Sequence, residues 1–231
     1  AFARFVNLVP GNGRLIAGWD APLVRQLAEL SWAPVEGFSY APSGDPGAAP
    51  QGSAPRRKDV TGTSSTLERP PLGQQPRWTA DEVEFGTTTT RFLVRLDGEE
   101  WGRVETPLAG AFNVRNCLAV IGAASAAGAS AEGILEGLRT FRSVRRRMEV
   151  RGEAGGVTVI DDFAHHPTAV GETIEAARQR FAGRPIVAVF EPRSYTAQRR
   201  EFEDEYGRAL GLADEIILGA LFHPERYDAV T

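Results

Sequence analysis

The chain has 231 residues, 42% of them apolar and 24% charged, an ordinary globular make-up with length for one large domain or two modest ones. Its 26 Lys and Arg against 30 Asp and Glu leave a net charge of -4, so no basic excess marks a nucleic-acid or anionic-membrane partner. No apolar run approaches the roughly 20 residues that insert across a bilayer, and the single cysteine, Cys117, excludes an internal disulfide framework and suits a cytoplasmic setting.

The sequence opens Ala1-Phe2-Ala3-Arg4, without an initiator Met or a signal segment, and reads as an interior piece of something longer. Phe5 to Val9 is a short apolar stretch. The turn Pro10-Gly11-Asn12-Gly13 follows, and then a strand over 14–17. Gly11-Asn12-Gly13 could also cradle a phosphate, but no third glycine and no Lys-Ser/Thr pair follows it. Leu23, Leu27 and Leu30 share one face of a helix over 22–30, with Asp20 as N-cap and Pro22 in the first turn. Residues 41–77 are rich in Gly, Pro, Ser, Arg and Gln, which predicts a flexible insertion, and Arg56-Arg57-Lys58 within it reads as a solvated cluster.

Order returns at Trp78. Residues 87–94 and 101–106 are strands joined through an Asp97-Gly98 hairpin signal. Helical composition runs over 113–127 and ends at Gly128, and Ser130 caps a second helix over 131–141. Strands are then expected over 148–151 and 157–160, around Gly155-Gly156, and again over 186–190 and 215–218. Helices fill 168–181, with Val170, Ile174 and Ala177 on one face, and 197–212. Continuous apolar strands alternating with amphipathic helices imply an α/β fold whose parallel sheet is covered on both faces.

Ligands of such sheets sit at the carboxyl ends of strands. Two polar segments lie there, Asp161-Asp162-Phe163-Ala164-His165-His166-Pro167 and Glu191-Pro192-Arg193-Ser194-Tyr195-Thr196. The acids and imidazoles of the first could ligate a metal, but adjacent side chains of one loop seldom converge. An aspartate accepting ribose hydroxyls is the alternative, as is one that simply caps the turn. Arg145-Arg146-Arg147 stands at a domain boundary, either as a solvated face or as the source of a phosphate clamp. Arg193 and Arg199 could hold a carboxylate or phosphate, whereas Arg200 reads as helix surface. Asn113 and Asn116 share a helix face; they could read the polar edge of a base, or Asn113 could be an N-cap.

Together these segments resemble the Mur ligase family. Gly110-Ala111-Phe112-Asn113-Val114-Arg115-Asn116 is similar to the G-x-H-N-x-x-N signature that ends its central domain. Arg146-Arg147-Met148-Glu149-Val150 and Val157 to Thr168 resemble the opening of its C-terminal domain. The resemblance implies that residues 1–144 are the end of a central ATP-binding domain. It makes 145–231 most of a Rossmann-like C-terminal domain with a mostly parallel sheet, incomplete at its end. It carries Asn113 and Asn116 to the adenine, Arg147 to the nucleotide phosphates as the catalytic arginine, and Asp162 to the ribose. His166 goes to the nucleotide-facing loop, and Arg193, Ser194, Tyr195, Thr196 and Arg199 to the amino-acid or peptide substrate. Phe112 departs from the family histidine. The Asp-Asp-Phe-Ala-His-His-Pro and Glu-Pro-Arg-Ser-Tyr-Thr loops are most similar to members that join UDP-N-acetylmuramate to L-alanyl-γ-D-glutamyl-meso-diaminopimelate through an acyl phosphate in peptidoglycan recycling. Members that add L-alanine are the alternative, and a non-catalytic module is another. ATP and magnesium are the implied cofactors and a bacterial cytoplasm the implied setting. No G-x-x-G-K-[ST] loop and no acidic magnesium stretch occurs in these 231 residues, so the resemblance implies that both lie upstream.

Overall fold

The structure, a computed structural model, describes residues 2–41, 72–73, 75–194 and 196–220. Most of the expected insertion, with Arg56-Arg57-Lys58, lies outside the described residues, as does Tyr195. The chain forms two compact units: Ala1–Val83 with Phe92–Val104 and Val114–Leu138, and Glu84–Arg91 with Glu105–Asn113 and Arg139–Thr231.

The first unit is built on a five-stranded sheet in chain order, β1 (Leu15–Gly18), β2 (Val35–Ser39), β3 (Trp78–Phe85), β4 (Thr90–Leu96) and β5 (Glu99–Thr106). β1 and β2 pair in parallel, as do β2 and β3. The links after β3 and β4 are too short for a crossover, so both close as antiparallel hairpins. Asp97 and Gly98, both at positive φ (53° and 88°), form the turn whose twist suits such a hairpin. Phe92, Leu93 and Val94 are buried in succession, so both faces of β4 are covered. The other deeply buried side chains of this unit include Val104 and, from α3 (Ala111–Ala126), Val114, Cys117, Leu118 and Ile121. Buried Glu36 is held by the Trp78 Nε1–H at 2.9 Å and by Arg77 and Arg14 at 3.1 and 3.5 Å, the pairing that a desolvated carboxylate requires.

Three local expectations change. Phe2–Val6 is a short helix (α1), where the sequence showed only an apolar stretch. Asp20 does not cap α2 (Pro22–Ala28): its carboxylate takes the Ser39 hydroxyl and the Tyr40 N–H at 3.2 Å, tying β1 to the end of β2. Strands β2 and β3 were not separable by pattern, because Glu36, Asp81, Glu82 and Glu84 interrupt their apolar alternation. Gly128 (φ 88°) ends the α3 region, and the Ser130 Oγ accepts the Gly133 N–H at the head of α4 (Ala131–Arg139), both as the sequence implied.

In the second unit, β6 (Glu149–Ala154) and β7 (Val157–Asp161) form a hairpin through Gly155-Gly156, at φ 58° and 78°. β8 (Val187–Phe190) and β9 (Glu215–Leu218) pair in parallel and in register. Helix α5 (Pro167–Arg180) buries Val170, Ile174 and Ala177, the stripe its spacing predicted. α6 (Glu203–Leu210) adds Tyr206, Ala209 and Leu210, and Ile186, Ala188 and Phe190 pack onto this cluster. Two features differ from expectation: among the described residues β6-β7 and β8-β9 are separate two-stranded sheets, and Val159 of the first and Val187, Val189 and Ile217 of the second are exposed, so the strands are not covered on both faces. The helix expected over 197–212 is also shorter. Two 3-10 turns, Thr196–Gln198 and Arg200–Phe202, precede α6, because Arg199 between them is extended (φ -87°, ψ 130°).

One glycine governs how α3 begins. Gly110 has φ 93°, and a Cβ there would lie 2.6 Å from the Ala176 Cβ and 2.9 Å from the Phe112 ring. Gly110→Ala therefore combines left-handed strain with overpacking against α5. It should lower unfolding free energy by at least about 2 kcal/mol in urea titration. Gly152→Ala, which meets nothing within 4 Å, should stay within about 0.5 kcal/mol of wild type.

Candidate functional site

β7 delivers Asp161 and Asp162 to the head of α5, and the loop between them folds around Asp162. Its Oδ1 accepts the Ala164 N–H and its Oδ2 the Met148 N–H, both at 2.8 Å. The second bond reaches the arginine turn that precedes β6. There Arg146 (φ 59°) and Met148 (φ 49°) both occupy the left-handed region, which costs a non-glycine residue on the order of 1 kcal/mol or more. The turn persists because it is clasped from several sides. Glu149 accepts the Arg146 N–H at 2.8 Å, and the Arg146 carbonyl accepts the Phe163 N–H at 2.9 Å. The Arg146 guanidinium lies 4.9 Å from the Phe163 ring centre and 3.4 Å from Asp161. The Arg146 N–H, with Arg151 beside it, holds the Glu149 carboxyl below the usual carboxylate range, so this clasp persists until pH falls through that depressed value.

Arg147 is exposed between the two strained residues. With Arg145, Met148, Glu149, Asn113, Leu108 and Arg180 it lines a pocket of about 200 Å³ within the second unit. The pocket thus brings together Asn113 and Arg147, two of the residues singled out in the sequence. Asn113 is not an N-cap, since α3 begins two residues earlier. Its Nδ2 donates to the Ala109 carbonyl at 2.7 Å, which ties the side chain to the segment before α3. Asn116 is exposed on the next turn of α3.

The remaining candidates do not share that pocket. Asp162 lines a separate pocket of about 420 Å³ between β7 and β8, otherwise largely apolar and including Ile160, Ile174 and Ile186. His166 occupies the N-cap position of α5 without a side-chain cap bond, its ring 5.4 Å from that of Phe202. His165 is fixed through its carbonyl, which accepts the Tyr206 hydroxyl. Arg193 is exposed, Ser194 Oγ accepts the Ala197 N–H at 3.0 Å, and Arg199 pairs with Glu201 at 2.9 Å. Gln198 closes this loop onto the Pro192 carbonyl at 2.7 Å. Thr196 is described only as part of a 3-10 turn. Phe112 joins an apolar cluster with Met148, Ala176 and Ala177.

Sequence reasoning missed Arg180 and the clasp role of Glu149. Arg180 could have been noticed as a second cation in the last turn of α5, beside Arg178. Among the described residues no three His, Cys, Asp or Glu side chains gather as a metal cage, and no helix is long and apolar enough to cross a membrane.

Asp162→Asn keeps the side-chain shape but sets an amide NH2 against one of two backbone N–H groups. The turn should loosen by about 1.5–3 kcal/mol, the worth of a hydrogen bond to a charged group. Hydrogen exchange should show the Met148 amide losing protection while amides in α5 keep theirs.

The profile of the family described as "Mur ligase, glutamate ligase domain" matches residues 146–228. The chain is 42% identical over 221 residues to the UDP-N-acetylmuramate–L-alanyl-γ-D-glutamyl-meso-2,6-diaminoheptandioate ligase of Escherichia coli, covering 94% of this chain and 40% of that protein. It is 34% identical over 218 residues to a UDP-N-acetylmuramate–L-alanine ligase of Salinibacter ruber, covering 94% of this chain and 39% of that protein. The crystal structure of a murein peptide ligase from Psychrobacter arcticus superposes with a TM-score of 0.56 at 26% identity, over 94% of this chain and 39% of the other. The chain thus spans about two fifths of the length of the relatives it matches. Residues 146–228 thus carry the glutamate ligase domain of the Mur ligase family, and the chain is similar to Mur ligases over 94% of its length.

Proposed function

We propose that this chain is part of an ATP-dependent ligase that joins the carboxylate of UDP-N-acetylmuramate to an amine by way of an acyl phosphate. In this reading residues 1–144 end a central ATP-binding domain, 145–231 belong to the C-terminal domain, and the protein works in the bacterial cytoplasm. The observation that carries it is the pocket shared by Asn113 and Arg147. An amide able to read a base edge and a planar cation able to hold phosphate thus line one concavity, although the chain separates them by a helix, a second helix and a turn.

The residues divide the work by chemistry. Bound ATP supplies the phosphoryl group that activates the carboxylate. Arg147 neutralises charge on that group, an effect that is largest where water is excluded. Asn113 reads the polar edge of the base with its amide. Asp162 retains a lone pair on each oxygen after its two backbone bonds, enough to accept a ribose hydroxyl while still holding the turn. His166, exposed at the head of α5, and Asn116 complete the nucleotide-facing set. Arg193, Ser194, Tyr195, Thr196 and Arg199 form the loop that meets the acceptor. Among the described residues no group of His, Cys, Asp or Glu offers a cage for magnesium.

The acceptor is read first as the tripeptide L-alanyl-γ-D-glutamyl-meso-diaminopimelate. The 42% identity to the ligase of that name supports this, as do the loop residues Glu191 to Thr196. L-Alanine is the second reading, favoured by the 34% identity to an alanine ligase. Phosphate release by the complete protein with ATP, magnesium and UDP-N-acetylmuramate separates the two. Release dependent on tripeptide supports the first, release dependent on L-alanine the second, and release with neither overturns the ligase reading. Arg147→Ala should lower kcat at least about tenfold while leaving the Kd for UDP-N-acetylmuramate within about twofold; unchanged turnover would remove Arg147 from the reaction.

A further inference from the structure

The pocket that holds Asn113 and Arg147 carries more positive charge than one arginine. Arg145, Arg147 and Arg180 all line it, against one carboxylate, Glu149. Both oxygens of Glu149 are engaged elsewhere, by the Arg146 N–H at 2.8 Å and by Arg151 at 3.0 Å. The uncompensated charge therefore belongs to the pocket.

Arg180 is the unexpected member. It stands in the last turn of α5, where a cation commonly serves the exposed carbonyls and the helix dipole. Its neighbour Arg178 ties α5 to the segment before β9, donating to the Leu212 carbonyl at 2.7 Å and to Asp214 at 3.1 Å. Arg180 turns the other way. Its Nε–H donates to the Thr87 carbonyl at 2.7 Å, and its guanidinium lies 5.4 Å from the Phe181 ring centre. Among the described residues no carboxylate pairs with it. Burial pulls its pKa down from the ordinary arginine value, so the charge is held partly out of water without a counter-ion. The Nε bond fixes the guanidinium plane and leaves its Nη groups for another acceptor.

The pocket's size narrows the occupant. About 200 Å³ is less than the roughly 300 Å³ at which whole small-molecule sites begin. It admits part of a larger ligand rather than the whole, and planar guanidinium groups match phosphate oxygens. We propose that Arg180 is a further phosphate-binding residue, meeting the phosphate of a bound nucleotide from the side opposite the arginine turn. The proposal rests on the nucleotide reading above, in which Arg147 alone was assigned to phosphate.

Calorimetric titration of the complete protein with ADP, adenosine and UDP-N-acetylmuramate tests it. Arg180→Gln should weaken ADP binding about tenfold, the loss of a charge-assisted hydrogen bond. Adenosine binding and the Tm should hold. A loss confined to UDP-N-acetylmuramate would keep the phosphate role and move its source to the sugar nucleotide. Equal losses for ADP and adenosine would show that Arg180 only ties α5 to Thr87, and unchanged affinities would also overturn the proposal. Should the glutamine variant not fold, Arg180→Lys keeps the charge without the fork and should still cost ADP several-fold in affinity; no change would again refute the assignment. Arg147→Ala run beside it separates the two readings. Loss with Arg147→Ala but not with either Arg180 variant sinks Arg180 alone, whereas a wild-type protein that binds neither nucleotide sinks both.

Discussion

The carboxylate of Asp162 is the constraint on which the second unit's site depends. It accepts one N–H from its own loop and one from the arginine turn, so a strand end and a turn distant in sequence share one anchor. Charge-assisted bonds to backbone N–H groups are about twice as strong as neutral ones. That strength is needed because Arg146 and Met148 are both left-handed. A single neutral hydrogen bond, worth about 1 kcal/mol, would barely match the strain of one such residue. Glu149 and the Phe163 N–H add further clasps. The result is an over-determined turn that fixes the backbone on both sides of Arg147 while leaving its side chain exposed.

The start of α3 is set by close packing. Gly110 brings the backbone against Ala176 at a distance no Cβ would tolerate, and Phe112 fills the adjoining space among Met148, Ala176 and Ala177. This accounts for Phe112 where the family signature has histidine. A ring nitrogen in that cluster would need a partner that apolar neighbours do not offer, whereas a phenyl ring gains from burial. Met148 joins this cluster through its side chain and the clasp of Asp162 through its backbone N–H, so the segment leading to Asn113 and the turn carrying Arg147 rest on the same residue.

Much of this was legible in the sequence where periodicity and turn chemistry act alone. The apolar stripe Val170, Ile174 and Ala177 marks α5, Asp97-Gly98 marks a hairpin, and Glu215 to Leu218 marks β9, because each signal is local. Strands β2 and β3 were not legible, since their charged residues find partners only in the folded sheet: Glu36 is acceptable in β2 because Arg14, Arg77 and Trp78 converge on it from elsewhere in the chain. Asp20 looked like a cap for the same reason, as a local rule could not foresee the Ser39 and Tyr40 partners that claim it. In the site, residue types at strand ends drew attention to Asp162 and to the arginine run. Arg180 escaped because a cation in a last helical turn has an ordinary explanation in the helix dipole, and its bond to the distant Thr87 carbonyl appears only in the fold.

The same pocket joins two kinds of stored cost. Three arginines line one concavity with a single, already committed carboxylate, and the turn presenting one of them is strained. Neither feature stabilises the folded chain by itself, since like charges repel and left-handed residues are disfavoured. Hydrophobic packing and the Asp162 and Glu149 clasps carry that burden without involving the pocket's free N–H groups. An anion entering the pocket relieves the repulsion, and the turn has no conformational search left to make. Its binding free energy therefore goes into contact rather than into ordering the site. Preorganised cations of this kind act most strongly on charge that develops during a reaction, because they need not reorient when it appears. In the function proposed for this chain, that is the property a phosphoryl-transferring ligase requires of its arginine, and it would trace to a carboxylate that touches backbone on two sides.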